Sequence, residues 1–468
     1  MPHTSPEGDV ASAEVKPTVV QRTVKDLVRA AVSGWLGTAL EFMDFQLYSL
    51  AAALVFGEVF FANDSPGIAV VASMATYGVG YIARPLGAWY FGRLGDKIGR
   101  THVLFVTIAL MGIATTLIGA LPTYQQVGFL APLLLVVLRL VQGFGAGAEI
   151  SGAGVMLAEY APAKKRGLIA SLVALGTNCG TLGASALWAL LIGVLDDQQL
   201  LAWGWRIPFL GSFVIMLFAI WIRLRLKESP VFEERDDVVD GKALTKEETK
   251  ARAEAEGDER MIEALHQPQK KAIAVAFLLR FGQAGNSGIL QTYMASFVTV
   301  TLAMQKSVAT EMVMISSLVA FITVPVIGWL GDKVGRKRMY TIMTSITLVL
   351  IIPTMMGIAS GHPNKLLISY VILHNVSVMA LAAMENLTLP EIFGARNRYS
   401  LTAVTREVAA IFATGLGPII AAALVAAMSG SWIPVAIMVG FFTLCALGAS
   451  IYMPEVAGRD LTDPRSAL

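Results

Sequence analysis

Long apolar runs recur along this chain, and their number and length leave few folds open. A helix needs about 20 mostly apolar residues to cross the hydrocarbon core of a bilayer. Runs of that kind occupy residues 30–57, 66–92, 101–121, 129–158, 167–195, 205–225, 271–302, 309–330, 339–359, 366–390, 400–427 and 432–453. They predict about twelve transmembrane helices, several long enough to tilt. Lipid admits only helices and closed barrels, because every backbone polar group must find an internal partner there. Barrel strands need only about 10 residues, so the runs exclude a barrel and predict an all-α polytopic membrane protein. Composition agrees: 55% of residues are hydrophobic and 15% are charged, where a soluble domain carries about 25% charge. A net charge of +2 gives no reason to expect a nucleic-acid partner. Cys179 and Cys445 stand far apart in apolar runs, and the five histidines are scattered, so neither a disulfide framework nor a metal site is expected.

The chain divides by composition. Residues 1–28 read as an N-terminal tail: Met1 to Gln21 are polar, include Pro2, Pro6 and Pro17, and lack the apolar centre of a signal peptide. Residues 227–270 are dense in Glu, Lys, Asp and Arg and hold no spanning run, so they read as a charged linker between two sets of six helices, 29–226 and 271–454. Within it, Lys246 to Glu256 favours helix but shows no face to bury. Residues 455–468 read as a C-terminal tail. Lysine and arginine set the orientation. With the N-terminus inside, Arg22, Lys25, Arg29, Arg93, Lys97, Arg100, Lys164, Lys165, Arg166, Lys333, Arg336, Lys337, Arg338, Arg396, Arg398, Arg459 and Arg465 are cytoplasmic, while the outer turns hold little more than Lys306 and Lys365. Both termini are therefore expected in the cytoplasm. A repeat supports the division: Gly92-Arg-Leu-Gly95-Asp96-Lys97-Ile-Gly99-Arg100 recurs as Gly328-Trp-Leu-Gly331-Asp332-Lys333-Val-Gly335-Arg336. Glu159 with Arg166 recurs as Glu391 with Arg398 at nearly the same offset. Repeated six-helix halves are the build of one large transporter class.

The twice-used GxLGDxxGR motif resembles the signature of the major facilitator superfamily. Further segments narrow the resemblance to its metabolite:proton symporters, which include osmolyte, α-ketoglutarate, citrate and shikimate carriers. These are Glu41-Phe-Met-Asp44-Phe45, Arg84-Pro85-Leu86-Gly87, Arg139-Leu-Val-Gln142-Gly143 through Glu149, Glu159-Tyr160 with Arg166-Gly167, Gly204-Trp205-Arg206-Ile207-Pro208-Phe209, Glu228-Ser229-Pro230 and Leu389-Pro390-Glu391 through Arg398-Tyr399-Ser400. The match covers roughly residues 30–453. It implies the major facilitator fold, two pseudo-symmetric six-helix bundles, in the bacterial inner membrane. It implies transport of a small molecule with protons, no cofactor, and a monomer in the bilayer as working unit. The chain departs from the usual pattern at Phe42-Met43, along Ser171 to Gly176, and at Arg406-Glu407, so no single relative's solute carries over.

A charged side chain at the bilayer centre costs at least about 2.5–3.5 kcal/mol on insertion scales, so each one asks for a reason. Glu41, Asp44 and Tyr48 share a face of the first helix. Two carboxylates so close in a dry site should not both ionise, and one is expected to hold a proton, as coupling requires. An ion pair that only fixes packing is the alternative. On the fourth helix Arg139, Gln142 and Glu149 lie on one side, with Gly143, Gly145 and Gly147 allowing close helix approach. The resemblance associates this pattern with proton coupling; Arg139 could also serve a purely structural pairing. Arg84 could reach solute or snorkel to the interface. Arg280 with Gln283, Asn286 and Gln291 makes a polar, glycine-broken stretch, expected to unwind and bind solute. Arg406 and Glu407 are neighbours about 100° apart on a helix, so they should face different ways. Asn178 and Asn375 join the expected solute contacts, while Glu385 and His374 are weaker candidates. Asp96, Arg100, Glu159, Arg166, Asp332, Arg336, Glu391 and Arg398 are expected to form a gate latch at the inner face.

These residues point to proton-coupled uptake of a small polar metabolite by alternating access. Glu41, Asp44 and Glu149 would couple protons. Tyr48, Arg84, Arg139, Gln142, Asn178, Arg280, Gln283, Asn286, Asn375 and Arg406 would contact solute. An apparent excess of arginine favours a carboxylate: a dicarboxylate, a shikimate-like or an aromatic acid. A zwitterionic osmolyte such as proline or betaine, and proton-antiport export, are the transport alternatives. A ligand sensor would need a signalling domain that a linker of this length does not provide. No paired-His, His-Glu-x-x-His or Gly-x-Ser-x-Gly pattern points to an enzyme.

Overall fold

Each long apolar run folds as helix. The computed structural model describes residues 24–61, 66–147, 149–224, 238–239 and 242–468. We number the long spans α1 to α12 in chain order. The first six are α1 Val24–Leu54, α2 Pro66–Ile98, α3 Arg100–Gly119, α4 Leu130–Ala146 with Glu149–Tyr160, α5 Arg166–Val194 and α6 Arg206–Arg223. The second six are α7 Lys270–Ser287, α8 Lys306–Val334, α9 Arg336–Ala359, α10 Pro363–His374 with Ala380–Ile392, α11 Arg398–Ala410 with Gly417–Ala427, and α12 Ile433–Tyr452. Ten of the described helices are long and apolar enough to cross a membrane by length and composition. With α1 and α2, of 31 and 33 residues, they make twelve spans, the number expected. Large apolar side chains such as Val349, Ile322 and Val214 are exposed, as suits a surface solvated by lipid.

The sequence repeat reappears as a repeat of packing. In the first six helices α1 packs on α5, α2 on α4 and α3 on α6; in the second six α7 packs on α11, α8 on α10 and α9 on α12. The two sets meet where α2 crosses α11, where α5 crosses α8, and where the second part of α10 lies against α4 and α5. The two repeated motifs turn the chain identically. Gly99, between α2 and α3, has φ 99° and ψ 155°, and Gly335, between α8 and α9, has φ 103° and ψ 155°. That backbone is open essentially only to glycine.

Small residues set how closely α2 and α4 approach. A Cβ on Gly143 would sit 1.9 Å from the Gly80 carbonyl oxygen, and one on Gly147 would sit 2.1 Å from that of Arg84. The Arg84 backbone is thereby pressed against α4, and its side chain is aimed at the centre.

Two expectations change. The stretch from Arg280 to Gln291 does not unwind; α7 runs helically to Ser287 and then widens into a π-helical turn over Gly288–Tyr293. Lipid cannot satisfy an open backbone, and a wider turn keeps the bonds internal. Lys246–Glu256 is helical as expected, with Thr245 and Glu248 forming a capping box, but it does bury a face: Thr249 and Ala253, four apart, are buried. The helix Glu259–His266 packs on it and buries Met261. Small side chains at that spacing suffice to seat one short helix on another. Two-residue strands Val238–Val239 and Lys242–Ala243 pair in the same linker. Residues 1–23 of the N-terminal tail lie outside the described residues, as do 225–237 with Glu228, Ser229 and Pro230.

Candidate functional site

Between the halves, six ionisable side chains assemble into two triads of opposite charge order. Arg84, near the middle of α2, donates from Nε to Glu407 Oε2 of α11 at 2.6 Å and from Nη2 to Glu41 Oε1 of α1 at 2.7 Å. A further Nη2 contact reaches Glu407 Oε1 at 3.2 Å. Phe45 and Tyr81 lie against its guanidinium, 5.0 and 5.4 Å from their ring centroids. The second triad is carboxylate-centred. Arg280 Nη1 of α7 reaches both oxygens of Glu385 on α10, at 3.3 and 3.1 Å, and Arg406 Nη1 of α11 lies 3.2 Å from Glu385 Oε1. Gln283 accepts from Arg280 at 2.6 Å and Asn386 accepts from Arg406 at 2.6 Å. Arg406 and Glu407 therefore point to different partners, as their angular separation required.

A second network lies within the first six helices. Arg139 of α4 sits 4.0 Å over the Tyr48 ring, and Tyr48 shares a 2.5 Å hydrogen bond with Thr76. From Arg139 a chain of polar groups leads to Asp44. Arg139 Nη1 donates to Gln142 Oε1, Gln142 Nε2 donates to Thr115 Oγ1 at 2.7 Å, and Thr115 Oγ1 donates to Asp44 Oδ2 at 2.7 Å. Ser212 of α6 donates to the other Asp44 oxygen at 3.3 Å. Glu149 accepts from Thr107 at 2.7 Å. Every carboxylate and arginine of these networks is buried except Arg280, which is part-buried.

Several assignments need correction. Glu41 and Asp44 do not form one two-carboxylate site. Residues three apart on a helix diverge by about 60°, which turns Glu41 to α2 and Asp44 to α3 and α6. Glu41 instead shares Arg84 with Glu407, a residue read only as Arg406's neighbour. Arg84 does not snorkel, because two carboxylates hold it inside. Asn286 donates to Thr443 of α12 at 3.0 Å, and Asn375 donates to Val371 and to Ser316 of α8. Both tie neighbouring helices together and neither joins the central triads. Gln291 bonds His374, which stacks on Tyr370. Asn178 is buried, and its Nδ2 has no partner among the described residues. The arginines are not in excess either. Arg84, Arg139, Arg280 and Arg406 stand among Glu41, Asp44, Glu149, Glu385 and Glu407, since each buried guanidinium must recruit a carboxylate. Glu407, read only as a neighbour of Arg406, Glu385, read as a weaker candidate, and Asn386, absent from the sequence reading, are central residues.

At the face bearing most of the basic residues, the repeated motifs bond across the two halves. Asp332 accepts from the amides of Gly167 and Leu168, at the N-terminus of α5, at 2.6 and 3.0 Å. Asp96 accepts from Tyr399 and Ser400, at the N-terminus of α11, at 3.3 and 2.9 Å. Each aspartate thus caps a helix of the opposite half, where aligned peptide dipoles favour an anion. Glu391 takes Arg166 at 3.2 Å and Arg336 at 3.0 Å, and Glu159 takes Arg398 at 3.1 Å. The symmetry extends to Arg166 Nε on the Ala158 carbonyl and Arg398 Nε on that of Pro390. The side chain of Arg100 lies outside those described. The segment expected only as a C-terminal tail also joins these contacts. Glu455 accepts from the Arg336 amide at 2.7 Å, Arg459 donates to the Glu391 and Ile392 carbonyls, and Arg166 donates to the Arg459 carbonyl.

Comparison with known proteins agrees with this architecture. The profile of the family described as "Sugar (and other) transporter" matches residues 35–466. YdfJ, a candidate transporter of Escherichia coli (strain K12), is 49% identical over 422 residues, 90% of this chain and 95% of that protein. The shikimate transporter of Escherichia coli (strain K12) is 34% identical over 409 residues, 87% of this chain and 90% of its own. The proline/betaine transporter of the same organism is 30% identical over 453 residues, 96% of this chain and 88% of its own. Among solved structures, the proton:xylose symporter XylE bound to 6-bromo-6-deoxy-D-glucose superposes with a TM-score of 0.75 at 16% identity, covering 94% of this chain and 98% of that one.

Proposed function

The chain belongs to the sugar (and other) transporter family of the major facilitator superfamily, and on that premise we propose that it takes up a small carboxylate-bearing metabolite together with protons. The basic face is cytoplasmic by the lysine and arginine asymmetry, with both termini on that side. The halves 29–226 and 271–454 rock about the two triads, and the latch closes the cytoplasmic side while solute enters from outside. Asp44 and Glu41 carry the proton. Asp44 lies in an apolar surround lined by Leu40, Ile108, Met111 and Met216, and the relay through Thr115 and Gln142 links its protonation to Arg139. Glu149 adds a third carboxylate near Glu41.

Charge balance is the observation that carries this reading. Five buried carboxylates face four guanidiniums, so the ionised network is one negative charge over neutral and an anionic solute adds another. Low-dielectric surroundings make that costly. A proton accompanying each monoanion returns the network to its starting charge, which is the chemical content of symport. Arg280 Nε and Arg406 Nε are buried N–H donors without partners among the described residues, and they suit the carboxylate of the solute. The shikimate transporter's similarity favours a hydroxylated cyclic acid. The surplus carboxylate also suits the cationic end of a zwitterion, the reading that the proline/betaine relative favours.

Uptake into right-side-out vesicles tests this. Labelled shikimate, α-ketoglutarate, proline and glycine betaine are offered with and without an inward proton gradient. The wild-type protein should concentrate an acid of this set only with the gradient. Glu41→Gln and Asp44→Asn should abolish gradient-driven accumulation. Accumulation by both variants at the wild-type level would remove these two residues from the coupling role.

A further inference from the structure

We propose that a cavity on the basic face, walled by the linker, the C-terminal segment and the α10–α11 turn, is a binding site for a small phosphomonoester, and that filling it holds the two halves closed. This site is separate from the central triads, and its occupation does not depend on which solute is carried. That its ligand comes from the cytoplasm rests on the orientation proposed above.

The walls are built. Just past the helix Glu259–His266, Gln267 clamps the C-terminal segment. Its Oε1 accepts from the Ser466 amide at 2.8 Å, and its Nε2 donates to the Ser466 and Leu468 carbonyls at 3.0 and 3.1 Å. From the other side, the Gly394 amide donates to Ser466 Oγ at 3.2 Å and the Ala395 amide to the Asp463 carbonyl at 3.0 Å. The fit is close: a Cβ on Gly394 would sit 1.9 Å from the Pro464 carbonyl oxygen. Beside this junction a cavity of about 390 Å³ remains, within the roughly 300–1,000 Å³ common to small-molecule sites.

Its chemistry selects the ligand. The charged side chains lining it are Lys246, at the start of the helix Lys246–Glu256, and Arg396, in the α10–α11 turn. Both are cationic, and they stand on different segments. The acids next to the lining in sequence, Glu263 and Asp463, are both held by Arg465, at 3.0 and 3.2 Å. The cavity therefore favours an anion. A carboxylate offers two oxygens in one plane, which a single guanidinium fork satisfies. A phosphomonoester offers three terminal oxygens and close to two negative charges, enough for an arginine on one wall and a lysine on another. Leu265, Leu401 and Pro464 supply an apolar wall for the organic body.

Occupation reaches the halves through the C-terminal segment. The segment that supplies Pro464 and Ser466 also buries Leu461 among Ala158 of α4, Ala170 of α5 and Leu387 of α10, so it is seated on both halves at once. That seat exists only while the halves meet at this face. A ligand that fastens the segment to the linker and to the α10–α11 turn adds its binding energy to the closed form, and by linkage shifts the balance toward it. A phosphomonoester accumulating in the cytoplasm thus slows inward opening.

Glycerol phosphate and inorganic phosphate are the probes, titrated calorimetrically into the full chain in phosphatidylcholine nanodiscs at constant ionic strength, with succinate as the carboxylate control. Both phosphates should bind one site per chain, and glycerol phosphate should bind more tightly than succinate. Arg396→Gln and Lys246→Gln should each weaken glycerol phosphate by about tenfold or more, the loss of one charge-assisted contact. Ala264→Trp fills the cavity while leaving both cations, and should abolish binding. Phosphatidic acid in the nanodiscs separates the sources: a lipid headgroup that fills the site lowers the apparent affinity for glycerol phosphate, whereas a soluble ligand's site leaves it unchanged. Closure is read from spin labels at Lys164→Cys and Arg338→Cys, on opposite halves and clear of the cavity, in a chain carrying Cys179→Ser and Cys445→Ser. The same labels are read with Asp332→Asn, a background that weakens closure at this face. Saturating glycerol phosphate should lower the open-to-closed ratio about fivefold or more, the lower end of ordinary coupling, and Arg396→Gln should remove the response. No saturable binding, equal binding of succinate, or native affinity in all three cavity variants overturns the site. A distance distribution that saturating ligand leaves unchanged in both backgrounds overturns its hold on the halves.

Discussion

A guanidinium inside a lipid-spanning bundle persists only with its hydrogens occupied and its charge answered, and Arg139 shows how specific that requirement is. It stacks on Tyr48, donates to Gln142 and lies at the head of the chain that ends on Asp44. Lysine would keep the charge but lose the plane and the fork. Arg139→Lys should therefore fold yet lower the initial rate of gradient-driven uptake by roughly 10- to 100-fold, the effect of about 1.4–3 kcal/mol of lost stacking and hydrogen bonding. An unchanged rate would show that charge alone matters at this position. The same insertion-cost reasoning picked Glu41, Asp44, Arg84, Glu149, Arg280 and Arg406 out of the sequence, since an ion in an apolar run is visible locally. Their partners were not visible. Arg84 and Glu407 are joined by packing between halves, which no local period encodes. Asn286 and Asn375 misled for the same reason: an amide in an apolar run looks alike whether it bonds a solute or the next helix.

Helix positions were legible to within a few residues because hydrophobic length is set by the bilayer and not by neighbours. How the helices deform was not. The widened turns at Gly288–Tyr293, Asn375–Met379 and Ile411–Gly415 keep every backbone bond internal, so they leave no polarity signal in the sequence. Glycine spacing does leave a signal at the α2–α4 contact. Gly143 and Gly147 sit one turn apart, and their missing side chains are the space that the backbone of α2 occupies. Gly143→Ala places a carbon 1.9 Å from the Gly80 carbonyl oxygen, far inside contact distance, and neither backbone can yield without moving the helix. The variant should lose roughly 1–3 kcal/mol of stability, the usual cost of overpacking. Thermal unfolding in detergent reads this as a lower midpoint, and a midpoint equal to that of the native protein would mean that the two helices separate freely. Because Arg84 and Arg139 both project from this contact, transport should fall along with stability.

For the molecule as a whole, the repeat places the same chemistry at two points of the basic face. Asp332 caps α5 at 2.6 and 3.0 Å and also holds Arg336 at 2.8 Å. Asp96 caps α11 at 2.9 and 3.3 Å. Beside Asp332, Glu455 adds a clasp on the Arg336 amide. An anion at a helix N-terminus contributes on the order of 0.5–2 kcal/mol, and here that energy exists only while the halves are closed at this face. Removing it shifts the balance between closed and open forms without touching the triads. Asp332→Asn and Asp96→Asn should therefore each open the basic face, by a few-fold to about thirtyfold in the open-to-closed ratio. Spin labels at Lys164→Cys and Asn397→Cys, on opposite halves at this face in a chain whose Cys179 and Cys445 are serine, report it as an inter-label distance distribution. No shift in either variant would mean that capping across the halves does not hold this face closed. A larger shift for Asp332→Asn, reduced when Glu455→Gln has already been introduced, would place the stronger half of the latch where α5, α8, α9 and the C-terminal segment meet.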